Sequence, residues 1–89
     1  MDPEPLVRAI VSAMLLLEHA NEDEIEPGTA QQGLERIGRQ LLQLGESDRV
    51  EFVAILERLA AGATADWEAR FVRSIPYAIG MSDQAPADP

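Results

Sequence analysis

The chain has 89 residues, with sixteen Asp and Glu against seven Arg, no Lys, no Cys and a single His, for a formal net charge of −9. That length admits one small domain, which buries only about 60–65% of its unfolded surface, so its stability is modest or draws on a partner. An apolar content of 46% excludes a disordered chain. The lack of cysteine excludes a disulfide framework and a thiolate metal site, and the acid excess argues against nucleic acids and anionic membranes as partners.

The opening Met1-Asp2-Pro3-Glu4-Pro5 is acidic and broken by proline, unlike a secretory leader. The most apolar stretch, Ala9 to Leu17, is too short to span a membrane. The expectation is a cytosolic protein. Exclusive use of Arg with thirteen Ala points to a GC-rich bacterial genome.

A first helix is predicted from Pro5 to Ala20. Proline is tolerated in a first turn because its missing N–H needs no partner there. Leu6, Ile10, Met14 and Leu17 are spaced by four, four and three, and Val7, Val11 and Leu15 widen the stripe. Such width implies more than one packing neighbour. Glu4 and Arg8 stand at i,i+4 with favourable polarity. Asn21 is the expected stop, and Pro27-Gly28 a break or the next start.

A second helix is predicted from Pro27 or Thr29 to Leu44, along Ala30, Leu34, Ile37, Leu41 and Leu44, with Glu35 and Arg39 as an i,i+4 pair. Gly33 and Gly38 inside it each cost about 1 kcal/mol relative to Ala, so they mark either close helix crossings or weak points. Gly45 is the expected C-cap. Ser47 is the expected N-cap of a third helix, from Asp48 to Ala61, with Phe52, Val53, Ile55, Leu56 and Leu59 facing the core. After Gly62, Thr64 is expected to cap a fourth helix from Ala65 to Ser74, with Asp66 and Arg70 paired, Trp67, Phe71 and Ile75 as its seam, and Pro76 ending it. Tyr77, Ile79 and Met81 are too apolar for a free tail and are expected to fold back as a helical turn or an extended strap. Residues 82–89 have a disordered composition, leaving 1–81 as the folded domain. Strand signals are absent. The fold class expected is all-α, a small four-helix bundle with a C-terminal strap.

The strongest local anomaly is the acidic run 18–26, where Glu18, Glu22, Asp23, Glu24 and Glu26 occur with no basic neighbour. It is either a recognition patch that steers a basic partner or a solvated loop that keeps the protein soluble. It lacks the ligand spacing and the central glycine of an EF-hand, so no metal site is expected. His19 has no nucleophile patterned around it and reads as a dipole partner at a helix C-terminus. Glycosidase-like carboxylate pairs would need a pocket of several hundred Å³, for which so small a bundle is expected to leave little room. No phosphate loop, nucleophile elbow or carrier-type Asp-Ser-Leu serine is present, so neither enzyme activity nor a cofactor is expected. A helix-turn-helix reading fails because Asp66 and Glu68 offset Arg70 and Arg73. Trp67 reads as core; Tyr77, in the post-proline segment, reads equally as core or as a partner-binding residue.

The stretch Ser47 to Ala60, followed by Phe71-Val72-Arg73-Ser74-Ile75-Pro76 and Ile79-Gly80, resembles a pattern in short bacterial helical proteins. In size, acidity and helicity the chain is also similar to the bacterial immunity proteins that neutralise nuclease colicins. The aromatic-rich recognition segment of that family has no counterpart here, so no residue roles transfer. The expectation is an interaction protein whose Glu18, Glu22, Asp23, Glu24, Glu26 and Tyr77 meet a basic partner such as a toxin domain. The alternative is a structural or regulatory homodimer without catalytic activity.

Overall fold

Four amphipathic segments separated by Asn, Gly and Pro become four helices. The computed structural model describes residues 1–85. In it α1 spans Glu4–His19, α2 Pro27–Leu41, α3 Glu46–Ala61 and α4 Asp66–Ala78, with no strand among the described residues. The fold is an all-α four-helix bundle. Of the expected 82–89 tail, residues 86–89 lie outside the described residues.

Helix α1 is the hub: it packs against α2, α3 and α4, and α3 packs along α4, whereas α2 and α4 flank α1 without packing on each other. The core joins Val7, Val11 and Met14 of α1 to Phe52, Ile55, Leu56 and Ala60 of α3 and to Val72 and Ile75 of α4, with Leu41 of α2. The expected α1 stripe holds except at Leu6, with Ile10 and Leu15 packed against the core. Val7, Val11 and Met14 face inward, while Leu6 is half exposed and Leu16 more so. Nearly the whole α1 surface is apolar, so periodicity alone left its inward face open. Val53, expected in the core, is also exposed.

Polar contacts secure the helix ends. The Asp2 carboxylate accepts the Glu4 N–H at 3.0 Å, and Glu4 accepts from Arg8 of its own helix and Arg58 in the last turn of α3. Arg73 of α4 donates to both oxygens of Glu57 on α3 at 3.0–3.2 Å. The hydrogen bonds and negative charge of Glu57 hold the Arg73 guanidinium above its ordinary pKa, with a smaller opposing effect of desolvation. The expected Glu35–Arg39 and Asp66–Arg70 pairs do not form; Glu35 instead accepts from Gln31 at 3.3 Å.

Expected caps shift by a few residues. Helix α2 ends at Leu41 rather than Leu44, because its last amides turn to tighter bonds: Gln43 donates to the Gln40 carbonyl and Leu44 to that of Leu41. Gly45, not Ser47, stands at the N-cap of α3, and Ala65, not Thr64, at that of α4. Arg49 explains the earlier start of α3. From its first turn, its guanidinium reaches back to the Leu44 carbonyl at 2.9 Å and to the Leu42 carbonyl. It thus satisfies orphan acceptors at the negative end of α2.

The interior glycines of α2 mark close approaches. A Cβ at Gly33 would meet Leu17 Cδ1 at 2.9 Å, and one at Gly38 would meet Ile79 Cγ2 at 3.0 Å and Cβ at 3.1 Å. The Leu17 terminus can swing aside, whereas β-branched Ile79 is stiff at χ1. Gly33→Ala is expected to be neutral or stabilising by up to about 1 kcal/mol through helix propensity. Gly38→Ala is expected to destabilise by about 1 kcal/mol because overpacking outweighs that gain. Chemical denaturation of the two variants measures the contrast.

Helix α4 does not stop before Pro76. It continues to Ala78 with Pro76 buried inside it. Proline removes its own N–H bond and crowds the carbonyl four residues back, and burial of the ring together with a strong downstream cap carries the helix through. Gly80, at φ 87°, supplies that cap. Met81 donates to the Pro76 carbonyl at 2.8 Å and Gly80 to that of Tyr77 at 3.1 Å, a Schellman arrangement. The segment expected as a strap is thus the last turn of α4 followed by this cap, from which Ile79 and Met81 pack on the core. Gly80→Ala is expected to cost about 1–2 kcal/mol, since a Cβ is strained in left-handed backbone. Thermal melting checks it; an unchanged Tm would contradict the role of this cap.

Candidate functional site

The acidic run folds as the α1–α2 connection. Helix α1 ends at His19, Ala20 is extended, and Asn21 starts a fresh turn. The Asn21 side-chain oxygen accepts the N–H groups of Asp23 and Glu24 at 3.0 and 3.1 Å, and its carbonyl accepts those of Glu24 and Ile25. This is the local bonding that suits Asn to turns. Half-buried Ile25 anchors the turn, while Glu22, Asp23, Glu24 and Glu26 are exposed. Among the described residues no ion pair involves these four or Glu18, because the paired arginines lie on Glu4 and Glu57. Their field therefore extends into solvent.

Glu18 differs in setting. It stands on the last turn of α1 and lines a trough between α2 and α4 of about 430 Å³. Met14 and Ile75 lie at its base, Leu34 and Gly38 on the α2 side, and Phe71 and Ala78 on the α4 side. Ile79 packs against Gly38 and forms part of its wall. Exposed Glu18, Gln31, Glu35 and Arg39 border it. The trough corrects the expectation that the bundle has no room for a cavity of several hundred Å³. It exists because α2 and α4 both pack on α1 and leave a gap between them.

At the loop end of α4, the His19 and Trp67 rings meet edge to face, 4.4 Å between centroids at 65°, with Phe71 at 6.5 Å from His19. His19 thus packs on an aromatic rather than serving only the helix dipole. Trp67, expected in the core, is 49% exposed. It packs on His19, itself exposed, at the end of α1. Tyr77 is 50% exposed on the last turn of α4. Ten residues along a helix separate it from Trp67, about 15 Å. The structure therefore brings Glu18 and the loop acids to one end of the bundle and sets Tyr77 at the other.

The Ser74 hydroxyl donates to the Phe71 carbonyl at 2.6 Å, and no histidine lines the cavity. Among the described residues no three His, Asp or Glu side chains form a metal-ligand group, and no helix is long and apolar enough to cross a membrane.

Two further surfaces are apolar and exposed, the first on the helix whose excess of apolar residues underlies the homodimer expectation. Leu6, Ala9, Ala13 and Leu16 are all exposed along one charge-free face of α1. Val50 and Val53 border a shallow depression with Leu44 and Met81. The signal for the first was present, since these residues recur at i, i+3, i+7 and i+10; what was missing was which α1 face turns inward. For the trough, the signal was the pair Gly38 and Ala78, small residues on helices that flank the hub. No protein-family model matches the chain, and no curated protein or solved structure proves similar to it.

Proposed function

We propose that this protein is an acidic interaction module that binds a basic surface of a protein partner and covers it. In its most concrete form it is a cytosolic bacterial immunity or inhibitor protein that blocks a cationic site on a toxin. The observation that carries this reading is the turn at 21–26, whose Glu22, Asp23, Glu24 and Glu26 are exposed and free of ion pairs. Four unneutralised carboxylates on one turn steer a cationic surface from a distance and then accept charge-assisted hydrogen bonds from its Arg and Lys. The mechanism is steric and electrostatic occlusion, without chemistry on the partner. The test is affinity capture from source-cell lysate on immobilised protein, comparing the wild type with a variant carrying Gln or Asn at the four loop positions. A partner retained by the wild type and lost with the variant supports the reading; equal retention overturns it.

A second reading has its own observation. The charge-free α1 face carries Ala9 and Ala13 between Leu6 and Leu16, small residues that let another helix approach closely. A homodimer through this face is the alternative. Sedimentation across a dilution series decides it: a concentration-dependent dimer abolished by Ala13→Glu supports self-association, and a folded monomer throughout excludes it.

A further inference from the structure

We propose that the α2–α4 trough seats an amphipathic helix of the partner, with apolar side chains on its buried face and Lys or Arg along its flanks. This deepens the reading above and rests on it for the basic character of the partner.

Shape comes first. The trough follows α2 from Gln31 to its C-cap Leu42, eleven residue rises or about 16 Å, roughly three helical turns. A long, shallow, apolar channel of that length fits side chains at i, i+4 and i+7 from a docked helix. Its base and walls, Met14, Leu34, Gly38, Phe71, Ile75 and Ala78, present no charge.

Charge identifies the occupant. Glu18 and Glu35 border the channel, and the loop acids continue the negative surface beyond its near end. A second copy of this chain would bring its own −9 against that border, so like charge opposes self-docking here. A helix with Lys or Arg on the flank that faces α2 and at the turn beside Glu18 matches these two carboxylates, while the α4 wall carries no charge. Arg39 is the exception, near the C-terminal end of α2. There it meets the negative end of a helix dipole, which orients the occupant with its N-terminal turn toward Glu18 and its last carbonyls toward Arg39.

The experiment titrates the full chain with a peptide long enough to span the channel, with Leu on one face and Lys on the others, and with a counterpart in which Glu replaces Lys. Backbone NMR shifts locate the binding and calorimetry gives the affinity. The variants are Ala78→Trp and Gln31→Trp, both at exposed border positions where a large side chain fills the channel without entering the core, and the loop variant with four amides. Dispersed spectra of each variant establish folding. The expected result is shifts centred on Leu34, Gly38 and Phe71 for the Lys peptide only, and affinity reduced about tenfold or more by either Trp substitution. Shifts confined to residues 21–26, to the exposed α1 face or to Val50 and Val53 would overturn the proposal, as would absence of binding or equal binding of the Glu peptide. If both Trp variants bind unchanged while the loop variant weakens, the channel is excluded and the acidic-surface reading stands. If the Trp variants weaken binding and the loop variant does not, the channel stands and the loop is excluded.

Discussion

Leu56→Ala is expected to lower the stability of this protein by about 2–5 kcal/mol, the range for removing a buried leucine and leaving a cavity. Leu56 is 1% exposed on α3, in the cluster where that helix meets α1 and α4. A domain of this length has only about 4–13 kcal/mol in total. The Tm should fall by about 8 °C or more, given about 4–8 °C per kcal/mol at this size. Leu16→Ala is the internal control. Its side chain is 64% exposed, so its effect should stay within about 0.5 kcal/mol. Calorimetry of the two variants side by side measures the difference. Equal losses would mean that α1 buries its other face, against another copy or another element.

Neutralising Glu22, Asp23, Glu24 and Glu26 with Gln or Asn is expected to leave the fold intact while slowing association with a basic partner about 10–100-fold at low salt. None of the four takes part in an ion pair. Their one side-chain role within the turn is weak: Glu24 Oε1 accepts the Asn21 N–H at 3.4 Å, and an amide oxygen can replace it. Formal charge falls from −9 to −5, which relieves self-repulsion. The Tm should therefore hold or rise slightly as binding falls. A structural role for the acids predicts the reverse, a lower Tm with binding reduced only in proportion to unfolding. The two measurements together separate these accounts.

The elements themselves were legible because each carries a 3.6-residue apolar period and ends at Asn, Gly or a proline-containing turn. Three features were not. On α1, apolar residues cover most of the circumference, and only the packing of α3 and α4 selects Val7, Val11 and Met14 as the inward set. At Pro76, the local rule of helix termination yields to a cap four residues later, at Gly80. Around α3, Ser47 looked like the stronger cap by residue type, but Arg49 bonding to the carbonyls at the end of α2 sets the start of the helix.

The candidate site divides in the same way. The acidic turn was visible as composition, and Asn21 as a turn residue. That Glu18 belongs to a trough as well as to the acidic run depends on α2 and α4 standing apart. No spacing within one helix encodes that separation. Trp67 and Tyr77 were grouped by residue type, yet the first packs on His19 near the acidic end and the second stands at the far end of α4. Exposure of the Trp67 indole follows from its place at the rim, over a short and polar neighbour.

The turn at 21–26 is proposed to recognise a partner through its charge. The direct measurement is the rate of association with the captured partner as salt is raised from about 50 to 500 mM, across which the Debye length falls from roughly 14 to 4 Å. A fall of about tenfold or more is expected for the wild type and a nearly flat profile for the four-position loop variant. A wild-type rate that does not change with ionic strength would contradict it.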